Sequence, residues 1–271
     1  TSKGKDASWM KNLGFFGAGN MGLALLQGLR GGELALGAYD INPQALQRAA
    51  DLGARAFSSA EDLVCWADML VCCVKPQYLD GLLQMLADGA KGKPVASIVA
   101  GLSTGALHRA FPGSRVLRVM PNTPALVGQG MIALSLDTDL LPEEKGVFEA
   151  AFGCVGRVVW VQEGQMDAVT AVSGSGPAYV YLLIEAMTEA GVREGLAFDV
   201  AKQLAAQTVL GTAQMVLQCE THPAQLRAQV TSPAGTTAEA LYQLEKAGFK
   251  AGVMDAVHAC AQRSRQLGGH K

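Results

Sequence analysis

Three glycines in the order Gly17-Ala18-Gly19-Asn20-Met21-Gly22 follow a short apolar run and open an apolar stretch of helical spacing. In that context the spacing is suited to a dinucleotide. Gly17 permits a tight turn, and Gly19 lets the backbone approach a pyrophosphate. Gly22 lets a helix pack close to its strand, while the first amides of that helix, from Asn20 and Met21, face the phosphates. Asp40 ends the next apolar run, about 20 residues on, where a carboxylate hydrogen-bonds a ribose 2′-hydroxyl and repels a 2′-phosphate. The nearest cation, Arg48, lies well along the following helix, so NADH is favoured over NADPH. The competing reading makes Asp40 or Asn42 a cap for the helix that Pro43 begins.

Two further strand ends point to the same crevice, because ligands of open α/β sheets bind beyond the carboxyl ends of parallel strands. One is Cys73-Val74-Lys75-Pro76, the other Met120-Pro121-Asn122-Thr123-Pro124. Asn122 and Thr123, stiffened by prolines, suit a nicotinamide carboxamide or a substrate; Lys75 reads as a catalytic base or a surface charge, with a positioning role favoured because Pro76 fixes the backbone after it. Downstream, Ser173-Gly174-Ser175-Gly176-Pro177 precedes an apolar helix, a start that suits a carboxylate unless Ser173 or Ser175 is simply an N-cap. Thr231-Ser232-Pro233-Ala234-Gly235-Thr236-Thr237 leads into another helix and offers hydroxyls and amides without a strong base. Such residues serve a reaction that needs orientation and a mild proton donor, with hydride from the cofactor. No Ser-His-Asp arrangement emerges.

The elements that must hold these residues divide the chain in two. Short buried strands are expected at Leu13–Phe16, Ala35–Tyr39, Met69–Val74, Pro94–Val99 and Val116–Met120. Helices are expected between and after them at Met21–Arg30, Pro43–Leu52, Ala60–Trp66, Tyr78–Ala87 and Thr104–Ala110. That alternation implies parallel strands with right-handed crossovers, a doubly wound α/β sheet. Strands at Gly130–Leu136 and Val158–Gln162, around a helix at Pro142–Phe152, extend it. Beyond about Gly164 the apolar runs lengthen to Pro177–Ala190, Phe198–Glu220, Thr236–Ala247 and Phe249–Leu267, an all-α half. The expected organisation is a leader over 1–12, a dinucleotide-binding domain over 13–164 and a helical substrate-binding and dimerisation domain over 165–271. Helix Val200–Cys219 is apolar on more than one face, which fits burial between subunits or within one monomer.

Composition excludes several classes. Of 271 residues, 49% are hydrophobic and 17% charged, and the net charge of −2 supplies no field for nucleic acid or an acidic membrane. Ala178–Ile184 is too short to cross a bilayer. The polar Thr1–Asn12 lacks the apolar segment of a signal peptide, and Met10 is a candidate start behind a leader. Cys65, Cys72, Cys73, Cys154, Cys219 and Cys260 have no C-x-x-C spacing, and His108, His222, His258 and His270 are scattered. Reduced thiols in a cytoplasmic protein, and no metal site, are expected.

From Leu13 to Leu267 the chain resembles the Δ1-pyrroline-5-carboxylate reductase family. The resemblance rests on the glycine motif, Val74-Lys75-Pro76, the Met120–Pro124 run, Ser173–Tyr179 and Val230–Thr237. It implies an N-terminal Rossmann-type domain and an all-α dimerisation domain. It also implies hydride transfer from NADH or NADPH to a cyclic imine bearing a carboxylate, giving L-proline. By similarity Thr237 donates a hydrogen bond or proton toward the ring nitrogen. Ser232 and the amides of Ala234, Gly235, Thr236 and Thr237 hold the carboxylate, and Glu220 organises the site. The resemblance further implies interlocked dimers, each site combining one chain's cofactor domain with its partner's helices, and rings of dimers, often decamers. Two departures are Ala234, where many members have glycine and where a small side chain is expected to leave the loop intact, and Asp40, where NADP-preferring members often have Ser or Asn-Arg. Rivals are a β-hydroxyacid dehydrogenase, whose catalytic lysine is missing from Gly174–Ala190, and an NAD(H)-binding sensor or scaffold without turnover.

Overall fold

The computed structural model describes residues 10–86 and 89–268. Most of the expected leader, Ala87 at an expected helix end, and His270 therefore lie outside the described residues. The chain divides into two compact units, one running to Gly174 and rejoined by the chain from Cys260, the other Ser175–Ala259.

The first unit is built on eight strands, β1 (Asn12–Phe16), β2 (Ala35–Tyr39), β3 (Arg55–Ala56), β4 (Met69–Cys72), β5 (Pro94–Ser97), β6 (Arg115–Met120), β7 (Gly130–Ser135) and β8 (Gly156–Val161). They lie in the order β3-β2-β1-β4-β5-β6-β7-β8. All neighbours are parallel except β6 and β7. The antiparallel pair departs from the expected parallel sheet because the link from Met120 to Gly130, which coils into a 3₁₀ turn at Thr123–Val127, is too short for a crossover. Strand β3 escapes sequence reading because two exposed residues carry no alternation. Residues expected in the leader belong to the fold: Met10 is buried, and the Lys11 and Asn12 amides both donate to Asp68 Oδ2.

Helices α1 (Asn20–Leu29), α2 (Pro43–Asp51), α3 (Ala60–Trp66), α4 (Pro76–Leu86), α5 (Thr104–Ala110) and α6 (Pro142–Gly153) return the chain between strands. Two cores result. Phe15 packs with Leu25, Leu26, Phe148 and Phe152, whereas the adjacent Phe16 packs with Leu63, Leu79, Leu82 and Leu107. Successive side chains of a strand point to opposite faces, so these two fully buried rings tie β1 to both layers. Side-chain caps end the helices where the residue types allow. Asn42 accepts from the Gln44 amide ahead of Pro43, Ser59 from Asp62 and Ser103 from Ala106.

The Ser173–Pro177 segment does open a helix, but it is entered through earlier helical turns. The chain runs through α7 (Met166–Val169) into a π-helical turn at Thr170–Gly174. Ser175, ahead of α8 (Gly176–Arg193), is itself in the right-handed helical region rather than the extended conformation of an N-cap. In the second unit, α8 packs on α9 (Phe198–Gln218), with Gly191 against Ala201. There follow α10 (Pro223–Gln229), too short to stand out in sequence, α11 (Thr236–Lys246), and α12 (Phe249–Gly268), whose last residues belong to the first unit. In α9 only Ala201 and Ala205 are buried, so this helix is not an interior helix of one monomer.

Candidate functional site

The three motif glycines are glycine for different reasons. Gly17 has φ +94°, and a Cβ there would stand 2.9 Å from the Cys73 carbonyl carbon. A Cβ on Gly22 would sit 2.4 Å from the Gly17 carbonyl oxygen. Both glycines therefore answer to packing within the protein. Gly19 does not: nothing lies within 4 Å of a Cβ placed on it, and it caps the N-terminus of α1 in extended conformation. An exposed position with open space, ahead of the unpaired first amides of a helix, fits a ligand pyrophosphate approaching the backbone.

Beside this loop is a cavity of about 430 Å³, lined among others by Gly17, Gly19, Asp40, Arg48, Lys75 and Tyr78. Ala18 and Gly22, by contrast, are buried, and Met21 is half-buried. Asp40 is anchored from two sides. Its Oδ2 accepts from the Ala18 amide at 2.7 Å and its Oδ1 from the Asn42 amide at 2.7 Å. The carboxylate thus ties the glycine loop to the β2–α2 turn and stands rigidly in the cavity wall. The cap of α2 is Asn42. Lys75 is exposed immediately before α4, its carbonyl accepting from the Tyr78 amide. Because α4 begins at Pro76, two residues earlier than its apolar spacing suggests, Gln77 and Tyr78 also reach the cavity. The proline, an N1 residue, was the available signal for both.

Val74 and Cys73 line the same wall. Burial pushes the Cys72 thiol up to about 12 and raises that of Cys73 as well, so neither is a nucleophile at neutral pH.

Asn122, two residues beyond β6, is engaged at both ends of its amide. Oδ1 accepts from the Met131 amide at 2.8 Å, and Nδ2 donates to the Ser173 carbonyl and hydroxyl at 3.3 Å each. The structure therefore brings Asn122 and Ser173 together, with Gly174 against the end of β6. Thr123 is exposed at the start of the 3₁₀ turn.

A polar hub that sequence reading passed over sits at the β8 end. Glu163 accepts from the Thr104 amide and hydroxyl, from Arg118 and from the Ser135 hydroxyl. Burial works to raise its pKa, but the Arg118 hydrogen bond and charge and the Thr104 donors outweigh it and hold the carboxyl below the usual value. Glutamates are common in turns, so sequence offered no signal for it.

In the second unit, the Ser232–Thr237 turn is built around Ala234, whose φ of +55° makes it the one described non-glycine residue in the left-handed region. That conformation is the physical reason a glycine suits this position. The Ala234 methyl group leaves the turn formed but strained. A Cβ on Gly235 would fall 2.3 Å from Ser232 Oγ, so a side chain there would force that hydroxyl to turn away. The turn closes through the Gly235 amide on the Ser232 carbonyl, and Thr231 donates back to the Arg227 carbonyl. Thr236 and Thr237 form the first turn of α11, Thr237 half-buried, with Ser232 exposed. Glu220 is exposed between α9 and α10. Gly176 and Ser175 begin α8.

Two family models match the chain. Residues 12–101 match the model described as NADP oxidoreductase coenzyme F420-dependent, and residues 163–267 match the one described as pyrroline-5-carboxylate reductase dimerisation. The pyrroline-5-carboxylate reductase of Synechocystis sp. is 48% identical over 202 residues, covering 74% of this chain and 76% of that protein. The Plasmodium falciparum enzyme, solved with NADP bound, aligns with TM-score 0.83 at 34% identity, covering 95% of this chain and 98% of that one. The Coxiella burnetii enzyme aligns with TM-score 0.89 at 32% identity over the same shares. Sheet, glycine loop and helical half thus agree in one assignment, and the chain belongs to the pyrroline-5-carboxylate reductase family.

Proposed function

We propose that this chain reduces L-1-pyrroline-5-carboxylate to L-proline, the last step of proline biosynthesis. The observation that carries the proposal is the open approach to Gly19 ahead of α1, which fits a dinucleotide pyrophosphate and is not explained by packing. A bound reduced nicotinamide dinucleotide supplies the hydride for the imine carbon. Gly17, Ala18, Gly19, Asn20, Met21 and Gly22 would form its phosphate cradle, with Asp40, Val74, Lys75 and Pro76 beside it and Thr123 beyond the end of β6. Asp40 sets the preference: its side chain, held by two backbone amides at the end of β2, would meet a 2′-phosphate there, which favours NADH.

The chain's own task is to orient the imine and provide one proton. Ser173, Gly174, Ser175 and Gly176, together with Ser232, Ala234, Gly235 and Thr236, hold the substrate carboxylate through hydroxyls and amides. Thr237 donates to the ring nitrogen, which gains a proton as the C=N bond becomes a C–N bond, and Glu220 organises the turn. A threonine hydroxyl is a weak acid; a substrate that arrives as the iminium already carries that proton, its N–H donates to the Thr237 hydroxyl oxygen, and only orientation is needed. Thr237→Ala lowers kcat about a hundredfold and leaves the dissociation constant of the reduced cofactor unchanged. Undiminished turnover in that variant would remove Thr237 from the mechanism.

Self-association completes the proposal. The second unit leaves Leu182 66%, Phe198 59%, Leu204 54% and Met254 63% exposed, apolar surface that a partner copy covers. Dimers, arranged in a ring such as a decamer, follow from this reading. A cytoplasmic location belongs to the same reading.

A further inference from the structure

The amide of Asn122 is held in one orientation by the backbone. The Met131 N–H donates to it at 2.8 Å, so that end is Oδ1 and the other is Nδ2. Nδ2 in turn faces Ser173, 51 residues away in sequence, and divides its protons between the Ser173 carbonyl and hydroxyl. Ser173 lies in the π-helical turn Thr170–Gly174, a local geometry that recurs at functional sites. A second, independent contact braces the same turn. A Cβ on Gly174 would come within 2.6 Å of Met120 Cε, so the turn rests directly on the end of β6. Ala171 within the turn and Met166 before it are fully buried.

We infer that Asn122 is a positioning residue for the substrate carboxylate, acting through Ser173 rather than by touching the cofactor. The inference rests on the reading of Ser173–Gly176 as substrate-binding, and it gives Asn122 a role other than the nicotinamide contact that its place in the sequence suggests. A serine hydroxyl that accepts from Nδ2 has its own proton left to donate. The Met131 amide, the Asn122 side chain and the Ser173 hydroxyl form one relay of donors, each polarising the next, that ends in a donor suited to a carboxylate.

Asn122→Asp tests the direction of that relay with almost no change of shape. The new carboxylate still accepts from the Met131 amide but also accepts from Ser173, which turns the hydroxyl proton away from the substrate. The KM for pyrroline-5-carboxylate rises about tenfold or more, kcat falls less, and the KM for reduced cofactor is unchanged. Protonating the new carboxyl restores a donor. The KM ratio of variant to native protein therefore falls on the acid side of the pH profile, as that carboxyl takes up its proton. In a Ser173→Ala background that pH dependence disappears. Thermal midpoints of all variants are recorded alongside, and a purely structural role for Asn122 gives a lowered midpoint without the acid rescue.

Three results overturn the inference. A raised cofactor KM with the imine KM unchanged makes Asn122 a cofactor ligand. A raised imine KM in Ser173→Ala but not in Asn122→Asp breaks the relay alone. An unchanged imine KM in Ser173→Ala removes the substrate-binding reading of the segment, and the inference with it.

Discussion

At the residue scale, glycines that look alike in sequence separate by what surrounds them. Gly22→Ala forces a methyl group against the Gly17 carbonyl oxygen, so it lowers stability by about 1–3 kcal/mol. Gly19→Ala meets no protein atom and costs only the small N-cap preference for glycine over alanine, so the thermal midpoint falls less than in Gly22→Ala while the dissociation constant of reduced cofactor rises about tenfold or more. Equal effects on both readouts in the two variants would contradict this division. Ala234 tests the opposite case, a side chain where glycine belongs. The left-handed conformation costs about 1–2 kcal/mol, and glycine returns about 0.4–1 kcal/mol of that through unfolded-chain entropy. The methyl group is exposed and contributes little packing. Ala234→Gly is therefore stabilising by about 0.5–1 kcal/mol, read as a higher denaturation midpoint. A lower midpoint would show the strain to be relieved by contacts of that methyl group.

At the element scale, the polar hub on Glu163 ties the start of α5, β6 and β7 to the end of β8. Its folded pKa is depressed, so its stabilising contribution is complete above the ordinary carboxylate value near 4.5 and is lost as the pH falls through the lowered folded value. Glu163→Gln destabilises the protein at neutral pH, and the gap to the native protein narrows below about pH 4; a gap independent of pH would contradict the assignment. Elements like these mark where sequence reading ends. Strands β1, β2, β4, β5 and β6 are legible because they are short apolar runs bounded by turn residues, and the helices between them show their spacing. Much less is visible where a few residues decide the geometry. The antiparallel turn of β7 follows from loop length rather than pattern, and the π turn at Thr170–Gly174 has no composition of its own. The candidate site residues were legible by type and position, but not their partners. Asp40 holding Ala18, and Asn122 holding Ser173, are long-range contacts that only the fold brings together.

At the scale of the molecule, the two units differ in how they obtain a core. The first closes two apolar layers around its sheet, and the second leaves most of its large apolar side chains exposed. No helix among the described residues is long and apolar enough to cross a membrane. An apolar surface of this extent implies association, in keeping with the dimerisation model that residues 163–267 match. The central claim is the reaction, and the most direct measurement follows the near-ultraviolet absorbance of NADH and, separately, NADPH mixed with the purified protein and racemic pyrroline-5-carboxylate. Rapid oxidation that depends on the imine is expected, with a higher kcat/KM for NADH than for NADPH. Cofactor that binds but is not oxidised in the presence of the imine would contradict that claim.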